Sequence, residues 1–337
     1  MGMLIDGAWV TEDRRPADSK GRFQRAETSF RDWIAADGSS GFPAAAGRYH
    51  LYISHACPWA HRTALMRKLK GLEQAVSLSV VHPFMGQDGW EFAEGTGCLP
   101  DTVNGARYLR EVYRKAKPDY TGRVSVPVLW DKASGTIVNN ESAEIMRMFD
   151  TAFEGIARNA VTFCPPGREA EIDAVREALF MPINNGVYRC GFAGTQEAYE
   201  EAVAELFAAL DRWEGVLSGQ RYLLGGAITE ADWCFFTTLI RFDLVYHGHF
   251  KCNLRRIADY PNLWNYLRDL YQVPGVAETC DFDHIKGHYY RSHESINPSR
   301  IVPAGPILDF SAPHDRARFE AMDSDSAGAA ARAAGGS

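Results

Sequence analysis

The chain lacks any pair of cysteines at dithiol or metal-ligand spacing: its seven, Cys57, Cys98, Cys164, Cys190, Cys234, Cys252 and Cys280, are scattered over 337 residues. An odd, widely spaced set argues against a disulfide framework and a zinc site. No run approaches the roughly 18 apolar residues of a membrane span, and Met1-Gly2-Met3-Leu4-Ile5-Asp6-Gly7 has no charged-then-apolar export pattern. A soluble protein of the reducing cytoplasm is expected. Positive charge is scarce as well: 36 Lys and Arg against 43 Asp and Glu leave a net charge of -7, so neither nucleic acid nor an anionic membrane is an expected partner. No internal repeat is visible. What is present is 46% hydrophobic residues in a length sufficient for two ordinary domains, which turns attention to small-molecule chemistry.

The most informative residue is Cys57, which follows the apolar run Tyr49-His50-Leu51-Tyr52-Ile53 and directly precedes Pro58. A strand there would deliver the cysteine to the start of a helix. Open N–H groups and the positive end of the helix dipole favour a thiolate at that point, and proline suits the first helical position. A thiol of pKa about 8.5 is only ~3% ionised at pH 7, and lowering it to about 6 gives ~90%, a shift worth about 3 kcal/mol. A low-pKa cysteine is therefore expected, with His61, Arg62 or tyrosines as further donors to the sulfur. Three residues on, where a dithiol enzyme keeps its resolving thiol, stands Ala60. A small external thiol must then resolve any disulfide formed at Cys57.

Residues 1–47 read as an extension without its own core, pinned to the body by Phe30 and Trp33. From 48 the periods alternate: strand 48–54, helix 58–70, strand 76–81, helix near 104–116, strands 124–131 and 136–138, then a helix from 142. This βαβαββα order, over 48–155, is that of a thioredoxin-like domain. The long loop 82–103 carries Trp90 and Phe92, which favours a functional role. Helical periods at 168–181, 196–218, 229–246 and 260–272 predict a second, all-helical domain over 165–311, with Thr229 and Asp232 marking a helix start. Residues 312–337 read as a disordered tail. Pro127 is expected at a strand start or edge, leaving the Val126 backbone free to pair with a peptide-like ligand. Asn140-Glu141-Ser142 suits an amino acid's carboxylate and ammonium, although capping explains Ser142 equally well.

Taken together, Cys57-Pro58-Trp59-Ala60, Gly122-Arg123-Val124-Ser125-Val126-Pro127-Val128-Leu129-Trp130-Asp131 and Asn140-Glu141-Ser142-Ala143-Glu144-Ile145, followed by a helical half, resemble the cysteine-type glutathione transferases. The segments Asn184-Asn185-Gly186-Val187-Tyr188-Arg189-Cys190-Gly191-Phe192-Ala193 and His288-Tyr289-Tyr290-Arg291-Ser292-His293 narrow the resemblance to the xi class, the glutathionyl-hydroquinone reductases. It spans roughly residues 1–310, with Ser125 where many relatives are expected to carry threonine.

The resemblance implies an N-terminal thioredoxin-like domain, a helical glutathione-transferase domain and a homodimer. It implies Cys57 as nucleophile, glutathione as co-substrate held by Trp90, Arg123, Val124, Ser125, Val126, Glu141 and Ser142, and aromatic glutathionyl-hydroquinones as the other substrate. Tyr188 would be the proton donor or acceptor, and Tyr246 and Tyr289 would lower the Cys57 pKa. Phe192 and Tyr290 are candidate walls for the aromatic ring. His247, His249, His284, His288 and His293 lack partners at ligand spacing, so no metal is expected. The competing functions are an omega-like thiol transferase or dehydroascorbate reductase, and a non-catalytic carrier of aromatic ligands.

Overall fold

The computed structural model describes residues 2–11 and 17–319. Its central sheet is built from β5 (Tyr49–Ile53), β6 (Val76–Val80), β7 (Val128–Asp131) and β8 (Thr136–Asn139), in the order β6-β5-β7-β8. Strand β5 runs parallel to β6 and antiparallel to β7, and β7 pairs antiparallel with β8. All five residues of β5 are buried, as its interior position requires, and its C-terminal end opens onto α1 (Pro58–Leu69). Helices α1 and α3 (Ser142–Thr151) pack against each other, and α2 (Leu109–Ala116) packs near β8. This is the expected thioredoxin-like arrangement.

Two boundaries differ from the sequence expectation for physical reasons. The helix expected from 104 begins at Leu109 because the Asp101 carboxylate draws the preceding backbone round itself, accepting from the N–H groups of Val103, Asn104 and Ala106 and from the Tyr52 hydroxyl. The strand expected from 124 begins at Val128. The residues before it follow another course: the Ser125 carbonyl accepts the Tyr113 hydroxyl at 2.8 Å, and Val126-Pro127 is a cis peptide.

Residues before 48 contribute a hairpin, β1 (Met3–Ile5) with β2 (Ala8–Val10), and a short parallel pair, β3 (Ile34–Ala35) with β4 (Phe42–Pro43). Leu4 and Ile34 are buried in the body's core. Phe30 stacks on Tyr120 and meets Tyr113 edge-on, whereas Trp33, expected to help pin the arm, is 39% exposed.

The second half is helical: α4 (Glu169–Leu179), α5 (Gly186–Gly191), α6 (Gln196–Gly219), α7 (Glu230–Arg241), the single turn α8 (His247–His249), α9 (Pro261–Tyr271) and α10 (Phe282–Ser292). Periodicity did not indicate α5 or α10. Wide π-helical turns at Phe180–Asn184 and Phe242–Tyr246 follow α4 and α7. Part of the expected tail is packed: Arg316 is buried and donates to the carbonyls of Leu217, Gln220 and Arg221. The remainder of that tail, from residue 320, lies outside the described residues.

At the start of α7 the buried Asp232 carboxylate accepts from the N–H groups of Thr229 and Leu223 and the hydroxyls of Thr229 and Tyr266, all at 2.8–2.9 Å. One side chain thereby caps α7 and ties it to α9 and the Leu223 loop. Replacement by alanine strands those donors in the core. Asp232→Ala is expected to cost about 3 kcal/mol, read as a lowered urea midpoint.

Candidate functional site

Cys57 is the N-cap residue of α1, with extended backbone angles, and Pro58 occupies the first helical turn. Its thiol donates to the Val126 carbonyl at 3.5 Å, so that carbonyl, expected to await a ligand, has a protein partner here. Against the expectation of a low-pKa cysteine, burial pushes the Cys57 thiol up; the N–H groups of Ala60 and Trp59 and the charges of Arg241 and Arg25 pull the other way. His61 and Arg62 do not serve the sulfur. His61 bonds Thr279 and Arg241, and Arg62 donates to Ser142 and Asn184 while lying over the Trp59 ring.

Three tyrosines form a hydroxyl chain beside this thiol. The Tyr289 hydroxyl lies 2.6 Å from that of Tyr188 and 2.9 Å from that of Tyr246. Burial raises the pKa of all three, Tyr246 and Tyr289 furthest, so each phenol holds its proton at neutral pH. Tyr246 and Tyr289 were expected to donate to Cys57; their hydroxyl bonds go to the chain instead. Tyr246 is fully buried and does not line the cavity, and it reaches the site through Tyr289. The π turns contribute to this placement: one ends at Tyr246 and the other precedes α5, which carries Tyr188.

Two adjoining spaces meet at Phe23, Arg25, Trp59, Arg123, Ser125 and Val126. The first, a largely apolar cavity of about 190 Å³, contains Cys57, Trp90, Val124, Tyr188, Phe192 and Tyr289 in its wall. Trp90 stacks on His288, ring centres 4.8 Å apart. The second is a polar groove of about 800 Å³ bordered by Arg123, Ser125, Val126, Glu141 and Ser142. Glu141, rather than Ser142, is the N-cap of α3; its carboxylate accepts from Ala143 N–H at 3.3 Å and from the Thr28 and Ser142 hydroxyls at 3.4 Å. These are long bonds for a carboxylate, and they leave it able to take a cationic partner. Tyr290, expected as an aromatic wall, instead directs its hydroxyl to the Leu244 carbonyl.

Several lining residues escaped the sequence reading. Trp9, Phe23 and Arg25 come from the N-terminal extension, and His288 and His293 from α10 and the residue after it. Arg25 stands at the junction of the two spaces, donates to Asn185 at 2.7 Å and lies over the rings of Trp59 and Tyr188. Nothing in the local pattern of the extension marks it.

A helix-capping cysteine, a cis-proline loop opposite it and a helical domain closing the cleft define the two-domain architecture of thiol-dependent glutathione transferases. The sequence matches the glutathione S-transferase N-terminal domain family over residues 56–152 and the C-terminal domain family over 196–269. It is 51% identical to glutathionyl-hydroquinone reductase YqjG of Escherichia coli (94% of this chain, 98% of that protein) and 50% identical to glutathionyl-hydroquinone reductase PcpF of Sphingobium chlorophenolicum (91% and 96%). Its fold superposes on the Xi-class glutathione transferase of Natrialba magadii with a TM-score of 0.90 at 55% identity (95% and 97%), and on glutathione-bound YqjG with 0.86 at 50% (94% and 99%). The chain belongs to the glutathione S-transferase family, in its Xi class.

Histidines around the site set a pH limit on the fold. Burial pushes His50, His55, His249 and His288 down to about 4. The unfolded chain, with histidines near 6.5, then binds more protons than the folded one between roughly pH 4 and 6.5, so stability is lost as the pH drops through that window. Thermal unfolding from pH 7.5 to 4.5 should show a melting temperature level above about 6.5 and falling below it. A melting temperature constant down to 4.5 would contradict neutral buried histidines.

Proposed function

We propose that this protein removes glutathione reductively from glutathionyl-hydroquinones, with Cys57 as the nucleophile. The observation that carries the reading is the placement of one cysteine, without a partner thiol, in an aromatic cavity beside a chain of protonated phenols. The curated relatives named for this activity, about 50% identical over nearly the whole chain, support it.

Glutathione fits the groove by charge and shape. Arg123 offers a cation, Glu141 an acceptor for an α-ammonium, and the N-terminus of α3 with Ser142 a set of donors for an α-carboxylate. The Val126 N–H has no protein acceptor among the described residues and can pair with a peptide-like backbone. Trp90 and Val124 border the adjoining cavity, where the hydroquinone ring lies against Trp90 and Phe192.

In the first step the Cys57 thiolate attacks the glutathione sulfur of the aryl thioether. The sulfur–carbon bond breaks, the aromatic carbon takes that electron pair and a proton from Tyr188, and hydroquinone departs. Cys57 and glutathione remain joined as a mixed disulfide. A second glutathione then attacks as its thiolate, its proton returning to Tyr188; oxidised glutathione leaves and the Cys57 thiolate is restored. In this reading Tyr289 and Tyr246 support Tyr188 by spreading its charge along the chain. Action as a cytoplasmic homodimer belongs to the same proposal.

With a glutathionyl-hydroquinone and excess glutathione, the wild type should release hydroquinone and oxidised glutathione in equal amounts, and Cys57→Ala none. Tyr188→Phe should slow hydroquinone release and mixed-disulfide formation together, about 10²-fold or more. Full turnover by Tyr188→Phe would assign proton transfer elsewhere, and a wild type that releases no hydroquinone yet forms the Cys57 mixed disulfide from oxidised glutathione would favour a general thiol transferase.

A further inference from the structure

Arg241, the last residue of α7, is fully buried and has no carboxylate within ion-pair distance among the described residues. Its guanidinium commits four N–H groups to neutral acceptors: Nε to the Ala56 carbonyl at 2.9 Å, Nη2 to the His55 carbonyl at 2.9 Å, and Nη1 to the Thr237 carbonyl at 2.8 Å and to His61 Nδ1 at 3.0 Å. Because arginine only donates, His61 Nδ1 must accept, so the His61 proton sits on Nε2 and is given to Thr279, whose own hydroxyl proton goes to the Val276 carbonyl. Every neighbour of the cation is therefore uncharged. A buried charge left without an opposite one is costly and uncommon.

Two of the four acceptors are the carbonyls of the residues immediately before Cys57. The positive charge also reaches Cys57, Tyr246, Tyr289 and Cys280, and in each case it favours the ionised form. We infer that Arg241 is the buried counter-charge of the Cys57 thiolate, supplied across the domain boundary by the helical domain, and that the anion formed at Cys57 is the charge its surroundings omit. It acts as a positioning residue, holding the His55-Ala56 turn while lending charge to the sulfur beyond it. The inference rests on Cys57 being the nucleophile.

The groups facing that sulfur from the packed elements are the Trp59 and Ala60 N–H groups of α1, Arg25 of the extension, Tyr188 of α5, Tyr289 of α10 and Arg241 of α7. Arg25 keeps solvent-exposed surface, although its packing over Trp59 and Tyr188 desolvates the guanidinium in part and lowers its pKa. Of the two cations, Arg241 is the one with no solvent-accessible surface.

The test is the pH profile of Cys57 alkylation by iodoacetamide, followed on the Cys57 peptide by mass spectrometry, a readout independent of hydroquinone turnover. Arg241→Gln keeps much of the hydrogen bonding and removes the charge. It should move the profile up by about one unit, slowing alkylation about tenfold at pH 7. Arg241→Lys, which restores the charge, should stay within about threefold of wild type. A folded Arg241→Gln with the wild-type profile would overturn the inference; should that variant not fold, an Arg241→Lys profile displaced by a unit or more would overturn it equally. Failure of the proposed function shows separately, as hydroquinone release by Cys57→Ala.

Discussion

The two carbonyls that precede Cys57 are gripped by a guanidinium from the other domain, and the geometry of the site depends on that grip. Strand β5 brings the chain to the cleft, but the turn His55-Ala56 fixes where α1 begins and where the sulfur points. Arg241 bonds both carbonyls from the end of α7. That same helix is fixed at its other end by the Asp232 cap. A helix anchored at both ends thus carries the orientation of the helical domain to Cys57 of the sheet domain. Relative rotation of the domains would break bonds at Ala56 and His55 together, so cleft shape and thiol placement are coupled.

Around this anchor the chemistry divides between a polar and an apolar space. The groove along the Arg123–Val126 segment and the start of α3 presents charged and polar groups of both signs, Arg123 and Glu141 among them, which suits a zwitterionic peptide. The smaller cavity is lined with rings and with the buried His288 and His293, which suits a planar aromatic. Cys57 stands in the cavity wall beside Val126, a residue common to both spaces, so its sulfur lies near their junction. The tyrosine chain gives Tyr188 two further hydroxyls over which negative charge can be shared.

Much of this was legible in the sequence because it rests on local signals. Cysteine before proline marks a helix start, Pro127 marks the strand entrance, and Thr229 with Asp232 marks α7; each acts over a few residues. Arg241, Arg25 and His288 were not legible, since these contacts reach partners 160 to 205 positions away. The π turns were also hidden. A single extra residue in a turn scarcely disturbs a 3.6-residue period, so 229–246 reads as one helix although its last five residues are widened. Glu141 was read for ligand binding alone because a glutamate is an unusual cap, yet its backbone leaves it in the N-cap position of α3. The expected low thiol pKa rests on the helix terminus and on nearby donors, whereas the extent of burial, which the sequence does not display, opposes it.

The most direct measurement is a single turnover without free glutathione. Enzyme mixed with one equivalent of glutathionyl-hydroquinone should release one equivalent of hydroquinone and gain one glutathionyl group on the Cys57 peptide, stable until glutathione is added. Hydroquinone release that leaves Cys57 unmodified, or requires free glutathione before any product appears, would contradict a mechanism that runs through this one cysteine.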